Sequence, residues 1–117
     1  MSFPLKNLPQ RSAKPRSNGI TLVLDKGYSV RQVEDFVEVC SNHVDIVKLG
    51  WGTSYVTQGL DEKIKTYQNA GIPVYFGGTL FEAYLMRNQL SDYRKLMEKY
   101  EITHVEVSNG TILLSDE

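Results

Sequence analysis

Four short apolar runs, rich in β-branched residues, begin near residues 19, 44, 73 and 103, each following the last after 25 to 30 residues. That period is about the length of one strand–helix unit. The runs read "GITLVLD" (19–25), "VDIVKLG" (44–50), "PVYFGG" (73–78) and "THVEVS" (103–108), and helical patterns fill the gaps. Ser29 is placed to cap a first helix with an apolar stripe of Val30, Val33, Val37 and Cys40. Leu60, Ile64 and Tyr67 mark a second helix, ended by Gly71. The third helical region is expected to break near Asn88, with Ser91 capping a piece that carries Tyr93, Leu96, Met97 and Tyr100. Strand followed by helix, repeated, predicts parallel strands joined by crossovers.

Two architectures satisfy that order, a doubly wound open sheet and a (βα)8 barrel. The loops after the strands favour the barrel. Each strand runs into polar or glycine residues: Asp25 to Gly27, Lys48 to Ser54, Gly77 to Thr79, and Glu106 to Gly110. Barrel enzymes build their sites from such loops on several strands, whereas an open sheet concentrates ligand groups at one switch point. The sequence therefore reads as an extended arm over residues 1–18 and an N-terminal half-barrel over 19–117, α/β in class, with four of eight units. Such a half-barrel would leave two strand edges unpaired and Val23, Val44 and Ile46 uncovered, so pairing with a second copy or with a missing half is expected.

Period-two alternation puts Thr21, Val23 and Asp25 on one face of the first strand, Val44, Ile46 and Lys48 on one face of the second, and His104, Glu106 and Ser108 on one face of the fourth. If all three faces point inward, Asp25, Lys48 and Glu106 meet at the barrel mouth. Two carboxylates with a lysine can hold a divalent metal and an anion, and an ordinary buried ion pair explains the same residues. The other reactive side chains read as structural: Cys40 on an apolar stripe, His43 facing solvent, His104 hydrogen-bonded on the inward face. Trp51 lies between Gly50 and Gly52, where it either plugs a loop or walls a site.

Thirteen basic against fourteen acidic residues give no electrostatic footprint for nucleic acid or a membrane surface, and no run has the apolar length of a membrane span. A single cysteine excludes an internal disulfide, and with no apolar leader in the proline-rich N-terminus a cytoplasmic protein is expected.

The segments "KPRSNGITLVLDKG" (14–27), "VDIVKLGWGTS" (44–54), "GIPVYFGGTLFE" (71–82) and "VEVSNGTI" (105–112) resemble, in order and over nearly all of the chain after residue 10, the phosphosulfolactate synthases. The resemblance implies a (βα)8 barrel, Mg2+ as cofactor, and a carbon–sulfur lyase. Its reaction adds sulfite to phosphoenolpyruvate to give (2R)-2-O-phospho-3-sulfolactate, a step towards coenzyme M in methanogens. It also implies a full length of about 250 residues, as for a complete barrel. Under it, Lys48, Lys26 and Glu82 are the candidate catalytic residues and Asp25 and Glu106 the candidate metal ligands. Gly50, Trp51, Gly52, Thr53, Ser54, Gly77, Gly78, Thr79, Ser108, Asn109 and Gly110 are the candidate substrate-binding residues, since glycine loops offer backbone N–H groups to anions. The expected partners are small anions. The competing readings are a non-catalytic phospho-ligand-binding module and a stress-related barrel fragment acting through association.

Overall fold

The computed structural model describes residues 3–114 and contains a three-stranded parallel sheet in sequential order: β1 (Leu22–Asp25), β2 (Ile46–Leu49) and β3 (Val74–Phe76). Five helices accompany it: α1 (Val30–Cys40), α2 (Thr53–Val56), α3 (Leu60–Asn69), α4 (Gly78–Leu85) and α5 (Leu90–Lys99). The strand–helix alternation of the sequence is thus present for three units.

Local signals explain the helix boundaries. The Ser29 hydroxyl accepts the Gln32 N–H at 3.2 Å while the Gln32 side chain accepts the Ser29 N–H at 2.9 Å, closing a capping box ahead of α1. Past the end of α3, Gly71 takes a left-handed φ of +75°. Asn88 turns the chain between α4 and α5 with a φ of +55°, as the expected break requires, but the cap of α5 is Gln89 and Ser91 lies inside the helix.

Register decides which side chains share a face. Leu22 pairs with Ile46, and Leu24 with Lys48 and then Tyr75; Asp25 pairs with Leu49 and then Phe76. Asp25, Leu49 and Phe76 therefore occupy one face and Lys48 the other, so the expected convergence of Asp25 with Lys48 is off by one residue. A slip of one residue exchanges the faces of a whole strand. The helices pack on the Asp25 face: α3 touches Asp25 through Lys63 and Tyr67, and α5 and the residue after it meet Phe76 through the rings of Tyr93 and Tyr100 at 6.3 and 6.0 Å. Val33, Val47, Leu49, Ile64, Tyr67 and Val74 form the centre of this core. On the opposite face Leu22 is half exposed, whereas Val44 is buried and Val23 belongs to the helix side, which corrects the list of uncovered residues.

The expected fourth strand makes no ladder. Residues 103–109 have no regular structure, and Val105 and Val107 are exposed, so the two-sided burial that sustains a parallel strand is absent for them. The N-terminal arm is irregular but anchored, because Arg11 and Arg16 reach Asp45 at 3.2 and 2.7 Å and the Thr21 N–H donates to the same carboxylate. No helix among the described residues is long and apolar enough to cross a membrane.

Ser29→Ala removes the side-chain acceptor at the start of α1 and should lower the unfolding free energy by about 1 kcal/mol. Denaturant titration checks this: an unchanged midpoint would mean that tertiary packing alone fixes the helix start.

Candidate functional site

At the C-terminal ends of the strands, two carboxylates of opposite character flank the sheet. Asp25 is fully buried on the helix face. Its Oδ1 accepts the N–H groups of Gly27 and Tyr28, each at 2.8 Å, and the Lys63 ammonium at 3.0 Å; its Oδ2 accepts the Tyr67 hydroxyl at 2.8 Å. Burial, and then the Asp25 charge, push the Tyr67 phenol well above its ordinary pKa, so it stays a donor. These contacts occupy Asp25 as a buried anchor facing away from Lys48, and the expected metal-ligand role gives way to that one.

Lys48 and Glu106 do come together. The Lys48 ammonium lies 2.8 Å from each Glu106 oxygen, and the Gly78 N–H donates to Glu106 Oε1 at 3.0 Å. Gly78 is the first residue of α4, so a cation and a helix N-terminus meet on one carboxylate. Both side chains remain partly open, 25% exposed for Lys48 and 31% for Glu106. Tyr75 shares the Lys48 face, and burial and then the nearby Glu106 raise its phenol pKa.

Glycine makes this junction possible. A Cβ on Gly78 would stand 2.7 Å from Glu106 Oε1 and collide with the Ser108 side chain, and one on Gly77 would stand 3.0 Å from the Leu49 carbonyl and 3.2 Å from both the Lys48 side chain and the Trp51 nitrogen. Gly50 is packed as closely, with Leu24 Cδ1 2.6 Å from its would-be Cβ. Trp51 itself takes a left-handed backbone, φ +52° and ψ +33°, followed by left-handed Gly52. A non-glycine residue holds that conformation only where its surroundings impose it.

Trp51 is 60% exposed, which excludes the plug reading within the described residues. The Lys26 ammonium sits 5.0 Å from its ring centroid, a cation–π contact that brings the loops after β1 and β2 together. Thr53 and Ser54 open α2; the Ser54 hydroxyl is buried and has no partner among the described residues. Thr79 is exposed in the first turn of α4.

Glu82 is placed away from the catalytic role the resemblance implied for it. It is buried within α4 and accepts the Ser108 hydroxyl, the Thr111 N–H at 2.6 Å, the Thr111 hydroxyl at 2.9 Å and the Ile112 N–H at 3.1 Å. The Ser108 and Thr111 bonds lead in pulling its pKa down to about 2, against burial, which raises it. A carboxyl this acidic carries no proton near neutral pH; it ties residues 108–112 to α4. Asn109 and Gly110 are exposed in the loop so held. His104 is exposed rather than inward, paired with the Thr103 hydroxyl at 2.9 Å. Among the described residues, no three His, Cys, Asp or Glu side chains gather in a group that could hold a metal.

Lys63, and the bond from Tyr67 to Asp25, are the features of this end that the sequence analysis does not contain. Lys63 falls at the spacing of Leu60, Ile64 and Tyr67, and a charge on an apolar helical stripe signals a buried partner.

Residues 9–117 match the family model described as (2R)-phospho-3-sulfolactate synthase (ComA). The phosphosulfolactate synthases of Bacillus subtilis and Methanothermobacter thermautotrophicus are 37% and 38% identical over 109 and 111 residues, each covering 93% of this chain. The Methanocaldococcus jannaschii phosphosulfolactate synthase is 43% identical over 95 residues, 80% of the chain. These matches span 43%, 43% and 38% of the relatives' own lengths.

The Glu82 contacts imply a pH response. Its carboxyl titrates at about 2 in the fold against 4.5 when free, so its hold on residues 108–112 is complete above pH 4.5 and is lost as the pH falls through about 2. The Thr111 and Ile112 amide resonances should keep their neutral-pH shifts down to pH 4.5 and then move with a midpoint near 2. In Glu82→Gln they should be displaced at every pH. A wild-type midpoint at 4 or above would mean that Glu82 does not hold this loop.

Proposed function

The chain belongs to the phosphosulfolactate synthase family, and we propose that it supplies the first strand-end loops of a barrel that adds sulfite to phosphoenolpyruvate. The observation that carries this reading is the seat where Lys48 Nζ and the Gly78 N–H converge on one carboxylate. Glu106 occupies that seat, and a substrate carboxylate has the same charge and the same two oxygens. Helices pack on the Asp25 face of the parallel sheet while Leu22 on the other face is half exposed, which supports the barrel, since an open doubly wound sheet carries helices on both faces.

The chemistry asks for positive charge at that point. Sulfite sulfur bonds to the methylene carbon of the enol phosphate, the carbon–carbon π bond opens, and negative charge passes into the carboxylate as an aci-carboxylate. A proton then adds to the neighbouring carbon, and no group leaves. Lys48 is the cation positioned to bind the substrate carboxylate and to hold it more strongly as charge develops. Lys26, at the start of the adjacent loop, adds a second positive charge to a site whose ligands are all anions. The glycine loops around Gly50, Gly52 and Gly77 let backbone approach the substrate, and Ser108, Asn109 and Gly110, fixed by Glu82, close the fourth side.

One carboxylate of this face could contribute to a Mg2+ site, the rest of the shell coming from water and substrate. Glu106 is the partly open carboxylate of this face and would hold the ion, which commonly takes one or two carboxylates and completes its shell with water and substrate oxygens. Bound there, Mg2+ would add charge stabilisation at the developing aci-carboxylate. We assign Asp25 no part in holding it. The barrel's completion, by a second copy or by further chain, belongs to the same proposal.

Lys48→Ala should lower turnover of phosphoenolpyruvate and sulfite about 10²–10³-fold, as for loss of one oxyanion donor. Because the Lys48–Glu106 pair is partly solvated, stability should change by no more than about 1 kcal/mol. Product formation and a thermal melt on the same preparation check both. Full activity per folded molecule would refute the assignment, and binding of phosphoenolpyruvate without any sulfonated product would favour the binding-module reading.

A further inference from the structure

The reaction scheme leaves two buried functional groups unused, the Lys63 ammonium and the Tyr67 hydroxyl of α3. Both end on Asp25, yet Asp25 also does something that an ion pair between a strand and a helix does not require. The Oδ1 atom that accepts Lys63 accepts the N–H groups of Gly27 and Tyr28 as well. Those two bonds define the turn that carries Lys26, and within it Gly27 has a φ of +127°, open in practice to glycine alone. Tyr67 supports the turn by a second route: its ring meets Phe36 at 6.3 Å, and Phe36 meets Tyr28 at 6.2 Å. At the far end of this chain of contacts, the Lys26 ammonium lies over Trp51.

We propose that Lys63 and Tyr67 are positioning residues for Lys26: acting through Asp25, they set the turn after β1 so that the Lys26 ammonium is held against Trp51 on the strand-end face. The importance of that charge for catalysis rests on the function proposed above; the positioning itself does not. Without the α3 donors, one on each oxygen, the Asp25 carboxylate has no fixed place on the helix side. The turn that hangs from it loses its anchor, and an exposed lysine without an anchored backbone spreads over many rotamers.

Trp51 is the single tryptophan, so emission excited beyond the absorption of the seven tyrosines reports on this loop alone. Collisional quenching by iodide, an anion, responds to positive charge beside the indole, and quenching by neutral acrylamide responds to exposure. The ratio of the two Stern–Volmer constants at matched ionic strength therefore reads the Lys26 contact. Lys26→Met sets the value for complete loss. Tyr67→Phe, which keeps the ring, and Lys63→Met should each move the ratio at least halfway from wild type to that value, while Lys63→Arg, which keeps a buried cation, should stay close to wild type. A cooperative melt confirms that each variant is folded.

The proposal is overturned if folded Tyr67→Phe and Lys63→Met both keep the wild-type ratio, or, where Lys63→Met does not fold, if Tyr67→Phe keeps it. It is overturned equally if Lys26→Met leaves the ratio unchanged, since Lys26 would then not lie against Trp51. Turnover of Lys26→Met judges the functional reading separately: unchanged turnover with a shifted ratio would refute the catalytic role of Lys26 and leave its positioning intact.

Discussion

A carboxylate with no exposed surface has to be answered by the protein, because transfer of an unpaired charge into the interior costs more than any single side chain's packing returns. Asp25 is that group here. Its surroundings answer it with one ammonium, one phenol and two backbone N–H groups, and in doing so they bring together the end of β1, the middle of α3 and the loop after β1. The rest of the arrangement depends on this junction. It fixes which face of β1 turns towards the helices, hence by register which face of β2 carries Lys48.

Glu106 is the opposite case at the same end of the sheet. It has one cation and one N–H, keeps about a third of its surface in water, and sits on a segment with no strand ladder to hold it. A partly solvated pair of this kind contributes little to stability, so it exchanges partners at little cost. The two carboxylates thus differ in kind: Asp25 is buried and bonded on both oxygens, whereas Glu106 holds one cation and one N–H with part of its surface in water.

The period of the strand–helix units, the caps at Ser29 and Gly71 and the turn at Asn88 were legible because each depends on residues near in sequence. The approach of Lys48 to Glu106, 58 positions apart, was also legible, since each lies on one face of an alternating run near its C-terminal end. The face of Asp25 was not. Alternation within one strand says which residues share a side but not which side is inward, and the relation between strands is set by the pairing register, a non-local property. Glu82 was misread for a similar reason: its spacing within the helix is visible, but the hydroxyl and N–H groups that hold it ionised arrive from residues 108–112. Lys63 offered a visible signal in its place on the apolar stripe of α3. Its partner, at the end of a strand 38 positions earlier, did not.

Gly77 and Gly78 show how these separate features meet. The strand β3 ends at Phe76, so the next two residues pass the point where the β2 loop, the Lys48 side chain and the 106–108 segment all approach. A side chain at position 77 would press on the Leu49 carbonyl, Lys48 and the Trp51 nitrogen together, and one at 78 would occupy the space of Glu106 and Ser108. Backbone and side-chain atoms have no cheap way to retreat from three neighbours at once, and packed interiors transmit such displacement rather than absorb it. Of the two residues, Gly78 also keeps its N–H free to point at the carboxylate seat, because the first N–H groups of a helix have no partner inside it. The glycine pair therefore does two things with one absence of atoms: it admits the neighbouring loops to within bonding distance, and it lets the first N–H of α4 donate to Glu106 beside the Lys48 ammonium.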